Sequence, residues 1–231
     1  MSIEYLKFQN LQKQFAYHRA VKSATGCICE GDYISLFGIN GAGKSTLLYL
    51  LAGIYKPDKG AIEYGVQGKK NFHALMHLLS HQSMFYARLT AEQNLVFFQG
   101  LYGNVDTREI LFALELTGLS AHRSKFIDGF SRGMIQRLMI ARMILAKPEF
   151  VFFDEPFTGL DMSGQRLLLS IIKNRGMENP HWKIKGYIFV DHDIVRAYNF
   201  SSSIWYIHKG ELQKPYLRSE LSIDKLGKML T

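Results

Sequence analysis

What this 231-residue chain lacks narrows it before any motif is read. Cysteine is nearly missing: Cys27 and Cys29 are the only two. Two apart on a strand, they would share a face. A disulfide between them would be strained, and no second cysteine pair exists to complete a metal cage. They read as two reduced strand residues. No apolar run approaches the ~20 residues of a membrane-spanning helix. The opening Met1-Ser2-Ile3-Glu4-Tyr5 lacks the charged start and apolar stretch of a secretory signal. The formal charge is +8, yet no dense basic run appears. Scattered lysines and arginines argue against a nucleic-acid groove and for a solvated surface, biased toward an anionic partner or membrane face. Repeats and low-complexity segments are absent too. What is left is a soluble, cytosolic chain, long enough for a real core and built as one large domain or a core with a subdomain.

Against these absences, one stretch is dense in meaning. Gly38, Ile39, Asn40, Gly41, Ala42, Gly43, Lys44, Ser45 and Thr46 fit the pattern glycine, four residues, Gly-Lys-Ser/Thr. Such glycines let the backbone curl so that several N–H groups converge on phosphate oxygens. Lys44 would reach the β- and γ-phosphates of a nucleotide, and the Ser45 hydroxyl would bind Mg2+. The apolar Tyr33-Ile34-Ser35-Leu36-Phe37 reads as a buried strand before the loop, and Ser45 to Leu51 as a helix after it. That helix would aim its positive end at the phosphates.

Ile3 to Cys29 alternates in short pieces and predicts antiparallel strands, with a further short strand at Ala61–Tyr64 after the Pro57–Gly60 turn. Ala74–Ser80 predicts another strand. Thr90 to about Ala146 reads as mostly helical, Thr90 and Gln93 forming a capping box. Phe150–Phe153, Tyr187–Val190 and Ser203–His208 are apolar runs of the kind buried in a parallel sheet. Strands alternating with helices give an α/β fold.

Charged residues close these strands. Asp154 follows Phe153, placed to hold Mg2+, and Glu155 beside it would orient and polarise an attacking water. His192 ends the next strand, where it would bond a γ-phosphate or steady that water. Ser131 and Gly133 open a helix, an anion site in its own right.

Together these pieces resemble the nucleotide-binding subunit of ATP-binding cassette (ABC) transporters, over nearly the whole chain and in the family's order. Gly38 to Ser45 is similar to the Walker A loop, and Asp154 and Glu155 to the Walker B pair. Gln82 matches the glutamine that bridges Mg2+ and the membrane partner. Ser131 to Gln136 matches the signature motif, Gly159-Leu160-Asp161 the D-loop and His192 the switch histidine. Phe15 occupies the place of the adenine-stacking aromatic, with Tyr17 as the alternative. The signature departs from Leu-Ser-Gly-Gly-Gln at Phe130, Arg132 and Met134, and Arg132 would either add a cation near phosphate or point away.

The resemblance implies a P-loop NTPase (RecA-like) core with an antiparallel β subdomain and a helical signature subdomain. Residues 1–82 and 147–231 would form the core, and 83–146 the helical part. It implies ATP and Mg2+ as ligands, a head-to-tail homodimer or heterodimer, an integral membrane partner and a place on the inner face of the cell membrane. Glu92 to Gly103 looks like exporter-type subunits, while His81-Gln82 with its short spacing to Leu89-Thr90, Phe130 to Met134 and Phe157 to Asp161 look like the haem-exporter branch that serves cytochrome c maturation. Exporters of lipids, polysaccharides or drugs are the alternative, and a soluble cassette acting on nucleic acid or a regulatory ATP-binding module the more distant ones. His73, His77 and His81, four apart, align only on a helix, which their strand-like setting denies them as a haem or zinc site. Asn174 to Lys183 reads as a surface loop with Trp182 exposed.

Overall fold

The computed structural model describes residues 4–65, 75–80, 82–103, 105–178 and 182–230. In chain order the strands and α-helices are β1 (Glu4–Phe15), β2 (His18–Val21), β3 (Gly26–Cys29), β4 (Tyr33–Phe37), α1 (Lys44–Leu51), β5 (Lys59–Tyr64) and β6 (Met76–Leu79). There follow α2 (Ala91–Leu101), α3 (Thr107–Leu116), α4 (Arg132–Ala146), β7 (Phe150–Asp154), α5 (Met162–Asn174), β8 (Gly176–Met177) and β9 (Trp182–Lys183). The chain ends with β10 (Gly186–Val190), α6 (Ile194–Phe200), β11 (Ser203–His208), β12 (Glu211–Leu212), β13 (Tyr216–Leu217) and α7 (Ile223–Met229).

These elements form two compact units, Met1–Leu78 with Glu149–Glu155 and Lys185–Thr231, and Leu79–Pro148 with Pro156–Ile184. The first holds the main sheet, in the order β12-β11-β4-β10-β7-β6, whose last strand runs on into the second unit's first residue. β4, β10, β7 and β11 pair in parallel. β4, β7 and β10 are buried along their whole length, as near-continuous apolar strands of a two-sided parallel sheet should be. The smaller sheet is antiparallel, with β1 paired to β2, β3 and β5. Phe8, Leu47, Phe152 and Trp205 belong to one apolar core. Helix α1 buries all of Leu47 to Leu51, so it is apolar on every side. Burial of each such leucine contributes roughly 1.5–3 kcal/mol, which fixes where the preceding loop begins and ends.

The second unit is built on α2, α3, α4 and α5. Thr90 caps α2, and Gln93 returns the bond in the expected capping box. Arg142 of α4 is almost fully buried, its guanidinium 4.7 Å from the Phe98 ring centroid and 5.5 Å from that of Phe85. Burial lowers its pKa, and the two ring faces offset part of that desolvation.

Residues 156–184 fall in the second unit with α2, α3 and α4. The reason is local: Gln136 of α4 donates to the Pro156 carbonyl at 3.2 Å, and Arg137 pairs with Asp161. The stretch after Asn174 is a short hairpin of β8 and β9. Trp182 is buried, not exposed, and its indole N–H donates to the Pro148 carbonyl at 2.6 Å. Asn179, Pro180 and His181 of that stretch lie outside the described residues, as do His73 and His81. His77 is buried on β6, a strand as expected.

Candidate functional site

The loop after β4 is shaped by backbone that side chains resist. Gly41 and Gly43 have φ of 77° and 104°, the left-handed region in which a Cβ is strained. A Cβ on Gly43 would also collide with the Ala20 carbonyl. Gly43 stands at the start of α1 and offers no side-chain cap. By contrast Thr90, Asp106, Ser131, Asp161, Asp193 and Ser222 each cap the helix they precede. Among the described α-helices, α1 alone presents its first N–H groups without a side-chain oxygen, which leaves them to an anion.

Lys44 starts α1, and its ammonium donates to the carbonyls of Gly38 at 2.8 Å and Ile39 at 3.1 Å. Burial lowers its pKa, while Glu155 and Asp154 work the other way. The Ser45 hydroxyl donates to Asp154 Oδ1 at 3.0 Å, at the buried end of β7. One residue on, Glu155 has φ of 51°, and its N–H donates to the Val190 carbonyl at 2.9 Å. A left-handed, non-glycine residue costs about 1–3 kcal/mol and is tolerated where surrounding structure holds it. Glu155 Oε1 lies 2.9 Å from His192 Nε2. Phe15, Gly43, Lys44, Ser45, Glu155 and His192 all line one cavity of about 500 Å3. Tyr17 lies instead on a separate cavity of about 670 Å3 with Arg19, Lys22 and Lys209.

The sequence did not mark what holds His192. Asp191 takes a two-pronged ion pair from Arg196 at 2.5 and 2.8 Å, which raises the Arg196 pKa, and Asp193 caps α6. The histidine is therefore fixed between two anchored aspartates. The one available signal was the aspartate on each side of it.

Gln82, Ser131, Gly133 and Asp161 belong to the other unit. Gln82 is exposed, and its N–H donates to Ser80 Oγ at 3.3 Å. Ser131 accepts from the Met134 N–H at 3.3 Å and so caps α4. Gly133 stands where a Cβ would lie 3.0 Å from the Gly159 carbonyl. The Arg132 stem lies over Gly159, so this side chain runs along the Gly159–Asp161 segment. Arg137, another residue without a sequence signal, binds both Asp161 carboxylate oxygens at 2.6 Å and the Thr117 carbonyl at 2.6 Å. It holds the Asp161 carboxyl below its usual range.

What this arrangement offers is a glycine-shaped loop with a lysine, a hydroxyl–carboxylate pair suited to a hard cation, and a carboxylate braced by a histidine. Comparison with known proteins agrees. Residues 21–158 match the ABC transporter family model. The chain is 32% identical over 229 residues to the bacitracin transport ATP-binding protein BcrA of Bacillus licheniformis, covering 94% of this chain and 75% of BcrA. It is 32% identical over 149 residues to the cytochrome c biogenesis ATP-binding export protein CcmA of Yersinia pestis bv. Antiqua (strain Nepal516), covering 63% of this chain and 68% of CcmA. Some relatives are longer, and the chain spans 58% of one of them. A solved ATP-binding subunit of an ABC transporter superposes with a TM-score of 0.81 at 24% identity, over 97% of this chain and 98% of that one. The P-loop fold class is thereby established.

Proposed function

This chain belongs to the ABC transporter family of ATP-binding proteins, and from that premise we propose that it hydrolyses ATP to drive a separate integral membrane subunit. One observation carries the reading most: Glu155, held in a strained backbone, meets His192 at 2.9 Å on the cavity that Lys44 and Ser45 also line. In this reading the Gly38–Thr46 amides and Lys44 bind the β- and γ-phosphates, and Phe15 stacks on the adenine. Glu155 accepts the proton of the attacking water, and His192 holds Glu155 and the γ-phosphate in register.

Ser45 and Asp154 offer the hard oxygen donors that suit Mg2+, and their mutual hydrogen bond shows that both reach one point. Bound there, the ion would supply positive charge to the phosphate oxygens. Gln82 keeps the bridging role toward the ion and the membrane partner that the resemblance gives it.

The partner subunit's half of the reaction is read from Ser131 and Gly133. Ser131 Oγ accepts one bond in capping α4, and its O–H remains a donor for a phosphate. In a head-to-tail dimer of like or unlike subunits, this donor would meet ATP held by a second chain. Asp161, bound by Arg137, would lie beside that contact. The protein would sit peripherally on the cytoplasmic face, carried there by its membrane partner. Among the described residues, no helix is long and apolar enough to cross a membrane.

We read the transport direction as export. The Glu92–Gly103 stretch supports that direction, and the Phe130–Met134 and Phe157–Asp161 stretches with the likeness to CcmA support a haem-exporter type. The longer likeness to BcrA supports export of a lipid, polysaccharide or drug instead. The test of the core reading is Glu155→Gln. It should keep ATP affinity, accumulate an ATP-bound dimer and lose turnover by about 10²–10⁴-fold. Undiminished phosphate release would remove Glu155 from its role, and co-purification with a multi-span membrane protein would test the coupling.

A further inference from the structure

Outside the nucleotide cavity, the two cysteines of β3 stand apart chemically. Cys27 and Cys29 flank Ile28, which is fully buried. Both thiols therefore turn to the outer face, Cys27 exposed and Cys29 half-exposed. Their sulfurs lie 3.7 Å apart. Among the described residues β3 pairs only with β1, so this is a sheet edge open to solvent. Glu4 on β1 is the register partner of Cys29; burial, with the neighbouring Cys29 and Glu4, pushes the Cys27 thiol up to about 12.

The sulfur spacing separates two possible uses of the pair. A disulfide needs about 2.05 Å between sulfurs and is close to its Cα limit of about 6.8 Å for residues two apart on an extended strand. Closing that bond would pull the strand out of shape. A tetrahedral ion with metal–sulfur bonds of about 2.3 Å sets its two sulfurs about 3.8 Å apart. The thiols already stand at that spacing, with no backbone movement required.

We propose that Cys27 and Cys29 form a two-thiolate site for a soft, thiophilic divalent cation of the zinc and cadmium class. Among the described residues no third histidine, cysteine or carboxylate completes a cage. Solvent therefore fills the remaining positions, and the ion exchanges freely. Binding is a proton exchange: the ion and two S–H groups give two metal–sulfur bonds and two released protons, with no change of oxidation state. Both protons pass to solvent, so binding strengthens as pH rises. Soft thiolate donors select such ions over Mg2+, which keeps this site chemically separate from the nucleotide's cation.

The test uses the full chain, reduced and stripped of metal, titrated with Cd2+ while the thiolate-to-cadmium ultraviolet charge-transfer band and proton release are followed. One ion per chain with two protons released is expected. Cys27→Ser and Cys29→Ser should each weaken binding at least tenfold, with ATP binding unchanged as the check that the fold persists. No band would overturn the proposal. So would a single-cysteine variant that binds as tightly as the wild type, or half an ion per chain, which would mean that thiols from two molecules share it.

Discussion

Two helix starts in this molecule are read as facing phosphate, and they are made in opposite ways. At α1 the approach is built from backbone: left-handed glycines, no side-chain cap, and Gly43 packed under the Ala20 carbonyl. At α4 it is built from side chains: a Ser131 cap, and Arg137 forked onto Asp161 and Thr117. Backbone fixes a shape in which glycine is under the least strain. A side-chain strap fixes a position and tolerates change at its neighbours.

The contrast can be broken most forcefully at Gly43. Gly43→Ala should weaken ATP binding about a hundredfold, given roughly 3 kcal/mol for a strained left-handed backbone plus the clash with Ala20. Fluorescent-nucleotide titration reads this directly, and near-normal affinity would show that the loop is not backbone-limited. Arg137→Met probes the other start. Turnover should fall on the order of tenfold to a hundredfold as the Asp161 segment loosens, while the ATP affinity of the single chain stays put. Equal losses of affinity and turnover would erase the distinction between the two starts. The smallest effect belongs to Ser131→Ala, which removes the cap and should lower stability by about 1 kcal/mol in urea unfolding. A loss of turnover well beyond what that shift explains would sharpen the role of the hydroxyl as a phosphate donor.

The same division decides how much could be read in advance. The strand–loop–helix around Gly38 to Thr46 was legible because every signal in it is local: an apolar run, glycines, then a lysine and a hydroxyl. The buried strands ending at Asp154 and Val190 were legible for the same reason, being uninterrupted apolar runs. Arg137 was not, since its partners stand 20 to 26 residues away and nothing nearby announces them. Trp182 misled because polar residues surround it in sequence, whereas a distant carbonyl, that of Pro148, draws the indole inward. Arg196 lay in plain sight five residues after Asp191, but only the turn into α6 makes that spacing a clasp.

The left-handed backbone of Glu155 carries a consequence for anyone who would harden this protein against heat. Glycine would sit there with less strain and so offers an easy gain in robustness. The same exchange would delete the carboxylate that faces His192. A screen that rewards survival at high temperature alone would therefore drift toward sturdy, idle chains, with the trade between endurance and work concentrated at this single residue.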